Sequence, residues 1–150
     1  MILLYRTDPS NPDFTELVKH LDAELAVRDG DDHAFYAQFN TMGFLKYSLV
    51  AYEDGIPLGC GALKEISPDT VEIKRVYTTS QSRGKGIATK VMAELEKWAA
   101  ELSFKKCILE TGQNQPEAIG LYHKLGYHRI PNYGQYSDVF TSLCFAKEIG

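Results

Sequence analysis

Between Val71 and Leu102 the chain switches once from strand-like to helix-like patterning, and this switch constrains the fold more than any other stretch. Residues 71–80, VEIKRVYTTS, are rich in β-branched and aromatic side chains and read as a strand. Ile87, Val91, Leu95, Trp98 and Leu102 then form one apolar stripe at helical spacing, widened by Met92 and Ala99. Lys90, Glu94, Lys97 and Glu101 fall on the solvent side. Between strand and helix, Gln81, Arg83, Gly84, Lys85 and Gly86 leave the backbone nearly bare, so the chain can turn tightly and a ligand can approach it. A helix starting here offers free N–H groups and a partial positive charge, to which Arg83 and Lys85 add. The junction suits a phosphate or pyrophosphate; read alone, it is equally a glycine turn before an ordinary helix. Two other phosphate loops are excluded. No Gly-Lys-Ser/Thr completes a Walker A loop, and Thr89 stands where a dinucleotide fingerprint needs its third glycine.

The flanking segments also argue against a doubly wound fold. Ile2 to Tyr5 reads as a first strand, followed by the turn chemistry of Asp8-Pro9 and Asn11-Pro12. A helix is expected from about Asp13, with Phe14, Leu17, Leu21 and Leu25 on one face and Gly30 breaking it. A second short helix would carry Tyr36 and Phe39 and end near Asn40. Tyr47–Tyr52 and Pro57–Ile66 read as a hairpin about Glu53-Asp54-Gly55, and Ser67-Pro68-Asp69 turns into the central strand. Strands joined by turns this short are antiparallel. After the long helix, Cys107–Glu110 is a buried-type strand parallel to the central one. Pro116 and Glu117 open a short helix that Gly126 closes, and Tyr127–Ile130 and Val139–Phe145 form a last pair of strands around PNYGQYSD.

With 150 residues, 44% hydrophobic and 24% charged, the chain has the make-up of one soluble globular domain spanning 1–150. A net charge of −4 argues against a nucleic-acid partner, and no apolar run is long enough to span a bilayer. Lys74, Arg75, Arg83 and Lys85 form a local basic cluster that fits a small anion better than a polymer. Cys60, Cys107 and Cys144 are scattered through apolar runs, which predicts buried free thiols and a cytoplasmic location. No CxxC or paired histidine spacing suggests a metal.

Gln81-x-x-Gly84-x-Gly86 resembles the Q/R-x-x-G-x-G/A pyrophosphate loop of the GNAT family, the acyl-CoA-dependent N-acetyltransferases, and residues 72–77 resemble that family's central strand. AIGLYHKLGY, 118–127, is similar to the family's A-hydrophobic-x-x-Y-x-x-x-G-F/Y helix end. LETGQNQPEA, 109–118, resembles a bacterial subgroup of uncharacterised members. The resemblance implies an α/β (mixed α+β) GNAT fold. Its sheet would be mixed and mostly antiparallel, with about six to seven strands, a splayed parallel central pair and about four flanking helices. It also implies acetyl-CoA as cosubstrate, an amine of a small molecule or protein as acceptor, and, by analogy, a homodimer.

On that resemblance the backbone from Arg83 through Gly84, Lys85, Gly86 and Ile87 to Ala88, with Gln81, would hold the pyrophosphate. Main-chain groups of Val76, Tyr77 and Thr78 would pair with the pantetheine arm, an N–H near Val76 would polarise the thioester carbonyl, and Asn114 is the asparagine candidate for the arm. Tyr122 would face the sulfur and protonate the leaving thiolate; the alternative is a helix tyrosine packed on the sheet. A base must take the amine's proton. Glu72 on the central strand is the first candidate, against a cross-strand ion pair with Lys74 or Arg75; Glu110 at a strand end is the second. Tyr36, Phe39, Asn40, Tyr133 and Tyr136 are candidates to line the acceptor site, or plain core and lid. Glu24, Asp31 and Asp32 would attract a cationic amine or are simply solvated. A non-catalytic CoA-binding sensor is the competing class. A cysteine-dependent hydrolase is disfavoured, since no thiol adjoins a histidine or a helix start.

Overall fold

In a computed structural model, residues 1–29 and 46–150 are described. The strands are β1 (Ile2–Thr7), β2 (Tyr47–Glu53), β3 (Ile56–Ser67), β4 (Thr70–Thr78), β5 (Lys106–Gly112), β6 (His128–Ile130) and β7 (Ser142–Glu148). The α-helices among the described residues are α1 (Pro12–Asp29), α2 (Ile87–Glu101) and α3 (Pro116–Lys124). One seven-stranded sheet runs in the order β1-β2-β3-β4-β5-β7-β6, and only β4 and β5 are parallel. The expected second helix at 35–40, with Tyr36, Phe39 and Asn40, lies outside the described residues, as do Asp31 and Asp32.

Each face of the sheet carries its own core. On one, the α2 stripe Ile87, Val91, Met92, Leu95 and Ala99 packs on Leu49, Leu63, Val71, Ile73 and Phe145. On the other, Phe14, Leu17 and Val18 of α1 meet Val50, Cys60 and Ala62. Helix α1 starts where Asn11 Oδ1 accepts the N–H groups of Asp13 and Phe14, with Pro12 in the first turn. Helix α2 approaches β3 closely: a Cβ on Gly61 would lie 2.7 Å from Leu95 Cδ1 and 2.9 Å from Val91 Cγ1. Glu94 and Glu101 on the polar face of α2 reach Arg6 at 2.8 and 2.9 Å, tying the helix to β1. Cys60, Cys107 and Cys144 are buried free thiols, as their apolar settings predict.

The parallel pair opens. Strands β4 and β5 pair only from Thr70–Lys106 to Glu72–Ile108, although β4 continues to Thr78 and β5 to Gly112. Opposite Gly61 the β3–β4 register slips, and there Arg75 takes a left-handed φ of 60°. This bulge bends β4 away from β5, which keeps its ladder to β7 throughout. Strand β7 begins at Ser142, later than its Val139 start on sequence. Turns hold Val139 to Ser142 instead, and the Asn132 amide donates to the carbonyls of Val139 and Ser142.

Candidate active site

The opening between β4 and β5 leads into two adjoining cavities. The larger, about 420 Å³, lies along β4, the 82–89 segment and α3. The smaller, about 140 Å³, lies between β4, β5 and α1. Leu21, Val76, Gln115, Ala118 and Tyr122 line both.

The larger cavity runs along main-chain features of β4 and the 82–89 segment, with Leu21, Ile87, Leu121 and Tyr122 also in its lining. Among the described residues, the edge of β4 facing β5 has no strand partner beyond Glu72, and Thr78 Oγ1 at its end is buried without a hydrogen-bond partner. Ser80–Ser82 forms a 3-10 turn, then Gly84 and Gly86 take φ of 81° and 79°, values that a side chain would strain. Gly86 caps α2 with no side-chain hydrogen bond, so the first-turn N–H groups face outward unsatisfied. A Cβ on Gly84 or Gly86 would meet nothing within 4 Å, so the space before the helix start is open. An elongated anion fits here, its charged part at the helix start and its arm along β4. The guanidinium of Arg83 is turned back: it donates to Thr78 O at 3.1 Å and to Glu24 Oε2 at 2.6 Å. Glu24 thus anchors the loop to α1.

Tyr122 stands at the junction of the two cavities. It is 7% exposed, with its ring 6.0 Å from that of Tyr127 and 6.2 Å from that of Phe145. Burial pushes its phenol up to about 12, and the nearby Glu110 charge adds to this, so it stays protonated across the physiological range.

The smaller cavity is walled by charged side chains. Glu72, Lys74 and Arg75 of β4 and Glu110 of β5 line it, with Tyr136 beneath. Glu72 is 2% exposed; its Oε2 accepts the Tyr133 hydroxyl at 2.6 Å and its Oε1 lies 3.7 Å from Lys74 Nζ. Arg75 Nη1 donates to Asp22 Oδ1 at 2.7 Å. Burial, reinforced by the Glu72 charge, raises the Tyr133 phenol, and Tyr136 is raised mainly by burial.

Of the candidates read from sequence, Val76, Tyr77, Thr78, Arg83, Gly84, Gly86, Ile87, Ala88 and Tyr122 line the larger cavity. Glu72, Glu110 and Tyr136 line the smaller, and Tyr133 reaches it through Glu72. Gln81, Lys85 and Asn114 are exposed and line neither cavity. Gln115, beside Asn114, lines both, and its register past β5 left no mark in the sequence. Lys74 and Arg75, read from sequence only as part of a basic cluster suited to a small anion, line the smaller cavity; the alternation that sets Lys74 on the same strand face as Glu72 was the signal for its place there. Among the described residues no cluster could hold a metal ion, and no helix is long and apolar enough to cross a membrane.

The sequence model of the Acetyltransferase (GNAT) family matches residues 12–127. The uncharacterised N-acetyltransferase YjgM of Escherichia coli is 30% identical over 131 residues, 80% of this chain and 77% of that protein. A Klebsiella pneumoniae structure described as an acyl-CoA N-acyltransferase superposes with a TM-score of 0.84 at 26% identity, covering 100% of this chain and 99% of that one. A GNAT acetyltransferase from Elizabethkingia anophelis, solved with acetyl-CoA bound, gives a TM-score of 0.72 at 16% identity over 98% and 97% of the chains.

Proposed function

The chain belongs to the GNAT acetyltransferase family, and from that premise we propose that it transfers the acetyl group of acetyl-CoA directly to the primary amine of a small molecule or protein. The observation that carries this reading is the meeting of the two cavities at Tyr122, one along the glycine turn and the helix start, the other with Glu72, Lys74, Arg75 and Glu110 in its lining. The uncapped start of α2 with Gly84 and Gly86 would hold the pyrophosphate, and the free edge of β4 would pair with the pantetheine arm. The bound thioester supplies an activated acetyl group. Tyr122 keeps its proton until the sulfur departs and then donates it, so the C–S bond breaks without releasing a bare thiolate.

The amine must lose a proton to attack. Glu110 is our first choice of base, because its charge is felt by the Tyr122 phenol and it lies on the side of the departing sulfur, whereas Glu72 takes a 2.6 Å bond from Tyr133. Glu72 therefore serves to orient Tyr133 and Lys74.

Calorimetric titration with acetyl-CoA, beside desulfo-CoA and ATP, tests the reading. Micromolar binding of acetyl-CoA, with ATP much weaker, is expected. No binding at millimolar acetyl-CoA would overturn the cosubstrate assignment and every role that rests on it.

A further inference from the structure

Lys74 is 9% exposed at the wall of the smaller cavity, and its polar contacts among the described residues are long. Its Nζ lies 3.7 Å from Glu72 Oε1 and 3.5 Å from the Tyr136 hydroxyl. Charge-assisted N–H···O bonds ordinarily close to about 2.7–2.9 Å, and an ammonium has three protons to place. Tyr133 takes the short bond to Glu72 that Lys74 would need. Burial accordingly lowers the Lys74 pKa, with the Glu72 charge only partly opposing. The neighbouring Arg75 repeats the pattern. Its side chain is 3% exposed and spends Nη1 on Asp22, while its Nε is buried without a partner.

The β4 wall therefore carries two buried cations, Lys74 held only by long contacts and Arg75 with an Nε that has no partner among the described residues. Glu110 faces them from β5, on the side of Tyr122. A plain alkylamine would leave the cation wall as strained as before. A ligand with an anion at one end and an amine at the other would satisfy both walls. The cavity, about 140 Å³, approaches the roughly 150 Å³ that holds a benzene-sized molecule, so it takes a small polar head group.

Resting on the acyl-transfer reading above, we infer that the acceptor is a small amine bearing a carboxylate, of the free amino-acid class. In this arrangement Lys74 holds the carboxylate from β4, and the amine lies toward Glu110 and Tyr122.

The test uses matched ligand sets with the native chain loaded with CoA. Alanine, leucine and methionine would each be titrated beside its amide and its decarboxylated amine, and the same compounds assayed for acetylation with acetyl-CoA. In at least one set the free acid should bind about 30-fold or more tighter than the decarboxylated amine, the scale expected for a buried charge contact. Lys74→Gln should shrink that ratio to about threefold or less, and Lys74→Arg should keep part of it, with the acetyl-CoA titration as the control for folding. Equal or better binding and turnover of the decarboxylated amines would overturn the inference, as would failure of every amino acid to bind the CoA-loaded protein. A preference that survives Lys74→Gln unchanged would overturn the role of Lys74. Each of these results leaves acetyl-CoA binding intact, whereas absence of acetyl-CoA binding defeats the acyl-transfer reading itself.

Discussion

The two cavities that meet at Tyr122 are built from different materials. The larger follows main-chain features, the edge of β4 beyond its pairing with β5, two left-handed glycines and a helix start with no side-chain cap, among largely apolar side chains. The smaller is made of side chains, with Glu72, Lys74, Arg75 and Glu110 on its walls. Main-chain donors are the same in every sequence that takes this turn, so such a site suits a ligand common to many proteins. Side-chain walls change with single substitutions, so on the proposed reading acceptor choice falls to the smaller cavity. Damage to one should therefore leave the other's ligand bound.

Tyr122→Phe is the sharpest way to break that separation, since Tyr122 lines both cavities. Loss of a general acid costs about 100-fold or more in kcat, while the acetyl-CoA titration should stay within about threefold of the parent, because the ring still fills its place between Tyr127 and Phe145. Unchanged kcat would remove Tyr122 from the chemistry. Gly61→Ala comes next and acts mainly on the core, meeting the cavities only through an ordinary 3.6 Å contact with Val76. Its Cβ would lie 2.7 Å from Leu95 and 2.9 Å from Val91, both fully buried, so overpacking should cost about 1–3 kcal/mol. Thermal melting would record a loss of several degrees, with acetyl-CoA affinity retained for the folded fraction. Gly86→Ala is smaller and aimed at the backbone cavity. A left-handed alanine costs about 1–2 kcal/mol. The loop either keeps its shape and loses stability or relaxes and loses acetyl-CoA affinity by about 5- to 30-fold. A variant that changes neither would show that this turn holds no ligand.

The backbone cavity was largely legible in the sequence because its determinants are local. Glycines at 84 and 86, and the apolar stripe from Ile87, fix the turn and the helix within one stretch. The opening of β4 from β5 was expected only through the family resemblance, which implied a splayed pair, and could not be read from the residues themselves. It depends on where a long-range parallel pairing stops, at Glu72–Ile108, and on a bulge at Arg75, a residue with no local preference for a left-handed φ. The side-chain cavity was legible in part. Glu72, Glu110 and Tyr136 were readable as site candidates. The Tyr133–Glu72 bond was not, because it joins residues 61 positions apart through a lid that Asn132 folds back. Without that bond Glu72 looks like a base or the simple partner of Lys74; with it, Lys74 is left short of contacts.

Alkaline titration tests the bulge that separates the two cavities, with the smallest effect. Cys60 lies behind it, with its Sγ donating to Arg75 O at 3.3 Å. Burial pushes its thiol from 9.0 up to about 12. Above pH 9 the unfolded thiol loses its proton while the folded one keeps it. The folded state then binds more protons, so stability falls as pH rises through that window and is unaffected well below it. Each such thiol contributes a slope of about 1.4 kcal/mol per pH unit. Cys107, also raised to about 12, acts in the same direction, so the parent should steepen with more than one group. Cys60→Ala should remove one group's share of the slope measured by denaturant melts between about pH 8 and about pH 10. Its absolute stability also falls through the cavity it leaves, so only the slope is informative. A slope identical to the parent's would mean that water reaches Cys60 in the folded chain, and that the bulge at Arg75 is open rather than a packed wall between the two cavities.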